Sequence, residues 1–369
     1  MALTRNMYWG CHALIGVLMV ITNWVVIPVN PQMAMFTFAI IYIGSHQSLK
    51  LSETHADGKR KNTETMTQKD AMLFPVFGSL ALLSLYLAYK FIGKWLLNLL
   101  LSAYIIILGT AAVAETIEPM IAEILPSSFN DKSFKFKVSI PHKWLDTLFG
   151  TSGSVSLEIS SAQILSWVGA IACGSGFLAT KHFTLHNLYA ISLSLQGIKL
   201  MSLGKFIIGF LLLWGLFVYD VFWVFGTDVM VTVAKNIEGP VKLILPLSLD
   251  PWKNSILGLG DIVIPGVFAA LCLRFDDAQH RAKLKQKQHR QNVNVLEEFE
   301  KPYFKNVMIA YIFGLVVTGL IMIAFDTGQP ALLYLVPATT GTCFATAIYR
   351  GETSALFAYD EAEIVEKVQ

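Results

Sequence analysis

Residues 204–226, GKFIIGFLLLWGLFVYDVFWVFG, form an apolar run long enough to cross a bilayer as a helix, and Asp220 sits inside it. The run 255–275, SILGLGDIVIPGVFAALCLRF, repeats the arrangement around Asp261. A carboxylate near the centre of a membrane helix costs about 2.5–3.5 kcal/mol on insertion scales, and neither aspartate has a Lys or Arg close by in sequence. Such residues are kept where they are used. Asp220 lies about six residues before the end of its run and Asp261 about six after the start of the next, which at about 1.5 Å per residue puts both roughly 9 Å from one membrane face. Consecutive spans run antiparallel, so the two acids share a depth.

Two carboxylates facing each other in a medium of low dielectric do not both ionise; they share a proton. One then acts as base and the other as acid. The base deprotonates a water that attacks a peptide carbonyl, while the acid protonates the carbonyl oxygen and later assists the departing amine. This chemistry needs no metal and no cofactor.

Working outward, the 369 residues are 54% hydrophobic and only 15% charged. The mean hydropathy is +0.55, far too apolar for a soluble domain of this length. The expected fold class is all-α, a polytopic membrane protein. A net charge of +2 suggests no nucleic-acid partner. Cys11, Cys173, Cys272 and Cys343 fall in apolar runs without CxxC spacing, which argues against a disulfide framework or a zinc site and for small packing residues.

Runs of about 20 residues predict nine spans, near 33–49, 72–92, 95–114, 161–179, 183–198, 204–226, 255–275, 306–326 and 329–348. Residues 1–32 form an N-terminal hydrophobic segment broken by PVNP at 28–31, read either as a signal-like segment or as one arm of a hairpin with the 33–49 span. A transmembrane unit is expected over 33–349 and a tail over 350–369. The loops 50–71, 199–205 and 276–305 carry most of the inter-span Lys and Arg, including Lys59, Arg60, Lys61, Arg281, Lys283, Lys285, Lys287 and Arg290, so these loops and the tail are expected in the cytosol. The two aspartates then lie toward the lumenal side. The polar segment 115–160 reads as a loop, and 276–305 as a solvated segment with helical potential.

Around the aspartates stand Tyr219–Asp220, the string GLGD at 258–261 and QPALLYLVP at 329–337. These three ordered motifs resemble those of the intramembrane aspartyl proteases of the presenilin and signal peptide peptidase superfamily. The fuller strings YDVFWVFGTDVMVTVAK (219–235) and GLGDIVIPG (258–266), with KHFTLHNLYAISLSLQGIKL (181–200), are similar to the signal peptide peptidase branch over about 33–360. The resemblance implies a presenilin-like fold, Asp220 and Asp261 as the catalytic pair, and Gln329, Pro330, Ala331 and Leu332 beside them to position substrate. It further implies remnant signal peptides and type II membrane segments as substrates within the lipid bilayer, and an endoplasmic reticulum location. A second copy of the chain and quality-control components of the reticulum stand as candidate partners.

The residues themselves agree with this reading. Gly258 and Gly260 flank Leu259 and free the backbone just before Asp261, allowing close approach and local unwinding. Pro330 has no N–H to give, so the start of the last span can stay irregular and offer an edge to an unwound substrate. Tyr219 reads first as a packing aromatic and second as a group orienting the aspartates. Glu115, Asp228 and Asp326 fall at span ends, where charge is cheap. GTSG at 150–153 spells a rhomboid-like pattern in a polar loop without a matching histidine. His182 and His186 carry Phe183 where a metalloprotease HExxH would place Glu, and read as interfacial residues. The rival readings are a proton or cation transporter using the Asp pair, and a protease fold kept as a quality-control scaffold. Few polar groups beyond Gln196 and Lys199 line the central spans to make a transport path.

Overall fold

The structure, a computed structural model, describes residues 2–54, 65–91, 93–125, 133–138, 155–237, 239–287, 299–325 and 329–361. Its helices are α1 (Ala2–Ile21), α2 (Val29–Thr54), α3 (Gln68–Phe91), α4 (Lys94–Ile124), α5 (Ser161–Thr180), α6 (Phe183–Leu200), α7 (Phe206–Phe225), α8 (Val229–Asn236), α9 (Leu259–Lys287), α10 (Pro302–Phe325), α11 (Leu332–Arg350) and α12 (Thr353–Ala358). Two antiparallel hairpins interrupt them, β1 (Ser133–Val138) with β2 (Val155–Ser160) and β3 (Lys242–Leu249) with β4 (Trp252–Gly258).

The centre is built from α2, α6 and α9, which meet at Ile198. A Cβ on Gly44 of α2 would stand 2.9 Å from the Ile198 side chain, and one on Gly266 of α9 only 2.6 Å from it. Small residues at both positions let the three helices close in, which is how helices pack where lipid supplies no hydrophobic drive between them. Phe36, Ile40 and Ile43, Leu195 and Ile198, and Val267, Phe268 and Leu271 are buried there. By contrast α3 presents Leu73, Val76, Phe77, Leu80 and Leu83 outward, as a helix facing lipid would.

Among the described residues six helices are long and apolar enough to cross a membrane by length and composition: α3, α4, α5, α7, α10 and α11. The expected count of nine is not reached on that measure. The three others of that set are α2, α6 and α9, the enclosed ones. They carry His46 and Gln47, His186 and Asn187, Asp261 and Arg274, polar groups that a helix tolerates when its neighbours rather than lipid surround it.

Several boundaries differ from the sequence expectation. Residues 255–258 are not the start of a span but the end of β4, so α9 begins only at Leu259. The segment read as a loop from 115 is helical to Ile124, and 276–287 continues α9 without a break. In the N-terminal segment Tyr8, Cys11, Ile15 and Leu18, at helical spacing, are buried, and Gln47 Nε2 of α2 donates to the Tyr8 hydroxyl at 3.1 Å. Lys59, Arg60, Lys61, GTSG 150–153, Arg290, Asp326 and 362–369 lie outside the described residues.

The chain after α11 folds back. Leu356 and Tyr359 are buried, Tyr359 against Phe206 and Phe275, and Glu361 meets Arg274 at 2.6 Å. The start of α7 and the middle of α9 are thereby fastened together.

Candidate active site

Asp220 sits in the last third of α7 and is buried, turned toward the N-terminus of α11. The Leu332 N–H donates to Asp220 Oδ2 at 3.3 Å. This satisfies one of the backbone donors that every helix leaves without an internal partner, and it places the carboxylate at the positive end of the α11 dipole. Ala331 has helical backbone angles and its carbonyl accepts from Tyr334 and Leu335, so helical winding starts immediately after Pro330. Pro330, Ala331 and Leu332 are all buried and Gln329 is half-buried.

Asp261 occupies the first turn of α9, again the positive end of a helix. Its carbonyl accepts from the hydroxyl of Tyr311 on α10 at 3.1 Å, which ties the turn to a third helix. A Cβ at Gly258 would lie 3.3 Å from Asp261 Oδ2, so the carboxylate folds back over the strand end and glycine leaves room for it. Gly260 has nothing within 4 Å of where its Cβ would be and faces open space. The Asp220 carboxylate acts electrostatically on that of Asp261, and among the described residues neither is ion-paired. Asp220 of α7 thus stands at the start of α11 within electrostatic reach of Asp261 of α9, an arrangement able to exchange a proton with a bound polar group.

Tyr219 turns the other way. Its ring lies against α3, 3.6 Å from where a Cβ on Gly78 would be, and Trp223 one turn on donates to Ser79 at 3.0 Å. Glu115, expected at a solvated span end, lies within α4 and pairs with Lys199 of α6 at 3.3 Å.

What the sequence did not foretell is the β3–β4 hairpin leading into Asp261. Its β3 edge is closed by α6: Asn187 Nδ2 donates to the Ile244 carbonyl at 2.7 Å while Asn187 Oδ1 accepts from the Ile244 N–H at 2.8 Å. His186, read as interfacial, is instead buried, with Nε2 2.9 Å from the Lys242 carbonyl. Opposite residues in an antiparallel ladder alternate in which way their N–H and C=O groups face. Since Ile244 spends its groups on Asn187, its partner Ile256 directs its own to the other side, and so does Gly258 its N–H. Among the described residues that β4 edge carries no further strand. The signal was present in KLILPLSLDPWKNSILG (242–258), two β-prone runs around an Asp-Pro turn.

Comparison with known proteins adds to this geometry. The family model for signal peptide peptidase matches residues 58–363. The signal peptide peptidases of Homo sapiens and Mus musculus are each 38% identical to this chain over 336 residues, covering 87% of it and 80% of the relative. A probable intramembrane protease of Schizosaccharomyces pombe is 34% identical over 327 residues, 88% of this chain and 91% of that protein.

Proposed function

This chain belongs to the signal peptide peptidase family of intramembrane proteases, and from that premise we propose that Asp220 and Asp261 are its catalytic pair, cleaving transmembrane segments with water and no cofactor. The observation that carries the reading is that Asp220, buried at the start of α11, lies within electrostatic reach of the half-buried Asp261 of α9, with neither acid ion-paired among the described residues. With one proton between them, the ionised member takes a proton from water, the water oxygen bonds to the scissile carbonyl carbon, and the protonated member hydrogen-bonds the carbonyl oxygen. Collapse of the tetrahedral species breaks the C–N bond and hands a proton to the leaving amine.

A transmembrane helix hides its peptide bonds in its own hydrogen bonds and has to be unwound before water can attack. The outward groups of Ile256 and Gly258 support strand addition to β4 as the means, delivering extended substrate straight to Asp261. The resemblance to relatives named signal peptide peptidase supports remnant signal peptides, and type II membrane segments, as substrates. It supports residence in the endoplasmic reticulum with the chain end in the cytosol. Gln329 through Leu332 position substrate in this reading, and Gly260 leaves the backbone open to it.

The test is cleavage of a signal-peptide substrate by purified wild type, Asp220→Ala and Asp261→Ala, with cut sites read by mass spectrometry. Wild type is expected to cut within the apolar segment and both variants to be inert. Wild-type activity in either variant overturns the dyad, and proton or cation flux in liposomes then becomes the measurement.

A further inference from the structure

Far from the aspartates, an apolar groove of about 520 Å³ runs between α1, α2 and α10. Met7, Phe38, Tyr42, Met308 and Ile312 form its walls, and Lys301 and Lys305 stand at one end. That end is where α10 begins, so with α10 as a membrane span the lysines would stand at headgroup depth, and Ile312 lies eleven residues further on, roughly 16 Å along the helix. No Asp or Glu is among the described lining residues. Lys301 is aimed by its neighbours: its Nζ is 3.1 Å from His46 Nε2, whose Nδ1 is 2.8 Å from the Tyr42 carbonyl. This geometry suits a neutral imidazole that donates to the carbonyl and accepts from the lysine. Lys305, one turn on, is exposed and makes no ion pair among the described residues.

We propose that this groove is a binding site for an anionic glycerophospholipid, with Lys301 and Lys305 taking the headgroup and the apolar walls taking an acyl chain. The occupant has to be negative at one end and apolar along the rest, at the depth where a bilayer places its own phosphates. Basic pockets between membrane helices at headgroup level select anionic lipid in this way. A second copy of the chain fits poorly. Symmetric docking through this face about an axis along the membrane normal would bring lysines at equal depth against lysines.

The test uses the full chain in detergent, titrated with phosphatidylserine and with phosphatidylcholine of the same acyl chains, and read by native mass spectrometry. Wild type is expected to retain phosphatidylserine in preference. Lys301→Gln and Lys305→Gln are each expected to weaken that retention on the order of fivefold, about 1 kcal/mol per lysine, and to leave phosphatidylcholine unchanged. Ile312→Trp, which fills the groove and keeps both lysines, is expected to weaken retention of both lipids. Four outcomes overturn the proposal. These are a double lysine variant that holds phosphatidylserine as wild type does, a Lys283→Gln variant, outside the groove, that weakens it equally, retention of glycerophosphoserine without acyl chains as strong as that of the lipid, and a lipid-free wild-type dimer that Ile312→Trp dissociates. The readout is lipid retention, so it stands apart from the assignment of the aspartates.

Discussion

Asp220 does two jobs that one substitution can separate. Its Oδ2 accepts the Leu332 N–H and so caps α11, and its ionisation is what the proposed chemistry uses. Asparagine keeps a carbonyl oxygen of the same shape for the cap and cannot exchange the proton. Asp220→Asn is therefore expected to lose cleavage by at least 10²–10⁴-fold, the usual worth of a positioned acid or base, while stability changes by less than about 1 kcal/mol. Turnover and thermal unfolding of the same preparation check both halves, and a variant that is equally inactive but grossly unfolded would make the cap, not the chemistry, its main role. The two aspartates were legible in the sequence because a carboxylate in an apolar run is costly enough to stand out. Tyr311 was not, since a tyrosine in a membrane helix is cheap and only the fold reveals that its hydroxyl reaches the Asp261 carbonyl.

Among the elements, the helices were readable and the hairpin was not. A window that sums hydropathy over about 20 residues falls on α2 through α7 and on α9 through α11, of which α3, α4, α5, α7, α10 and α11 meet the stricter measure of length and composition among the described residues. The same window merges Ser255–Gly258 into the following helix, because it measures how apolar the residues are and cannot sense the change from strand to helix at Gly258. The hairpin also yields a discriminating pair of variants. Proline is tolerated on an edge strand where its missing N–H would have faced outward. Ile256→Pro leaves the β3–β4 ladder intact and removes an outward donor, so it is expected to cut cleavage of a transmembrane substrate on the order of tenfold without unfolding, the loss of about one substrate hydrogen bond. Leu257→Pro strikes an inward N–H and is expected to lower thermal stability as well. Full activity in Ile256→Pro would remove strand addition at β4 from the mechanism.

The molecule as a whole is closed by the segment that follows α11, which ties the halves of the site from a distance. Asp220 lies fifteen residues along α7 from Lys205, and Asp261 thirteen along α9 before Arg274, so each acid is about 20 Å from a fastened point. There Lys205 pairs with Asp360 at 2.8 Å, and Arg274 pairs with Glu361 and also hydrogen-bonds Ser48. Glu361 accepts from Ser202 at 2.6 Å, and its N–H donates to the Gly204 carbonyl at 3.0 Å. The acidic residues of this segment read in sequence as part of a cytosolic tail, because charge alone cannot say that a buried arginine waits for it. Arg274 and Glu361 side chains are only 5% and 14% exposed, and a buried ion pair broken from one side leaves an uncompensated charge. Glu361→Ala is therefore expected to destabilise by about 3–5 kcal/mol, whereas Arg274→Met with Glu361→Leu, which replaces the pair with apolar volume, is expected to restore most of it. Thermal unfolding of the two singles and the double gives the coupling directly. If the double recovers stability and cleavage together, fastening the two helices is all the pair contributes. A double that is stable but slow would mean that the charges themselves set the register between α7 and α9 on which the approach of Asp220 to Asp261 depends.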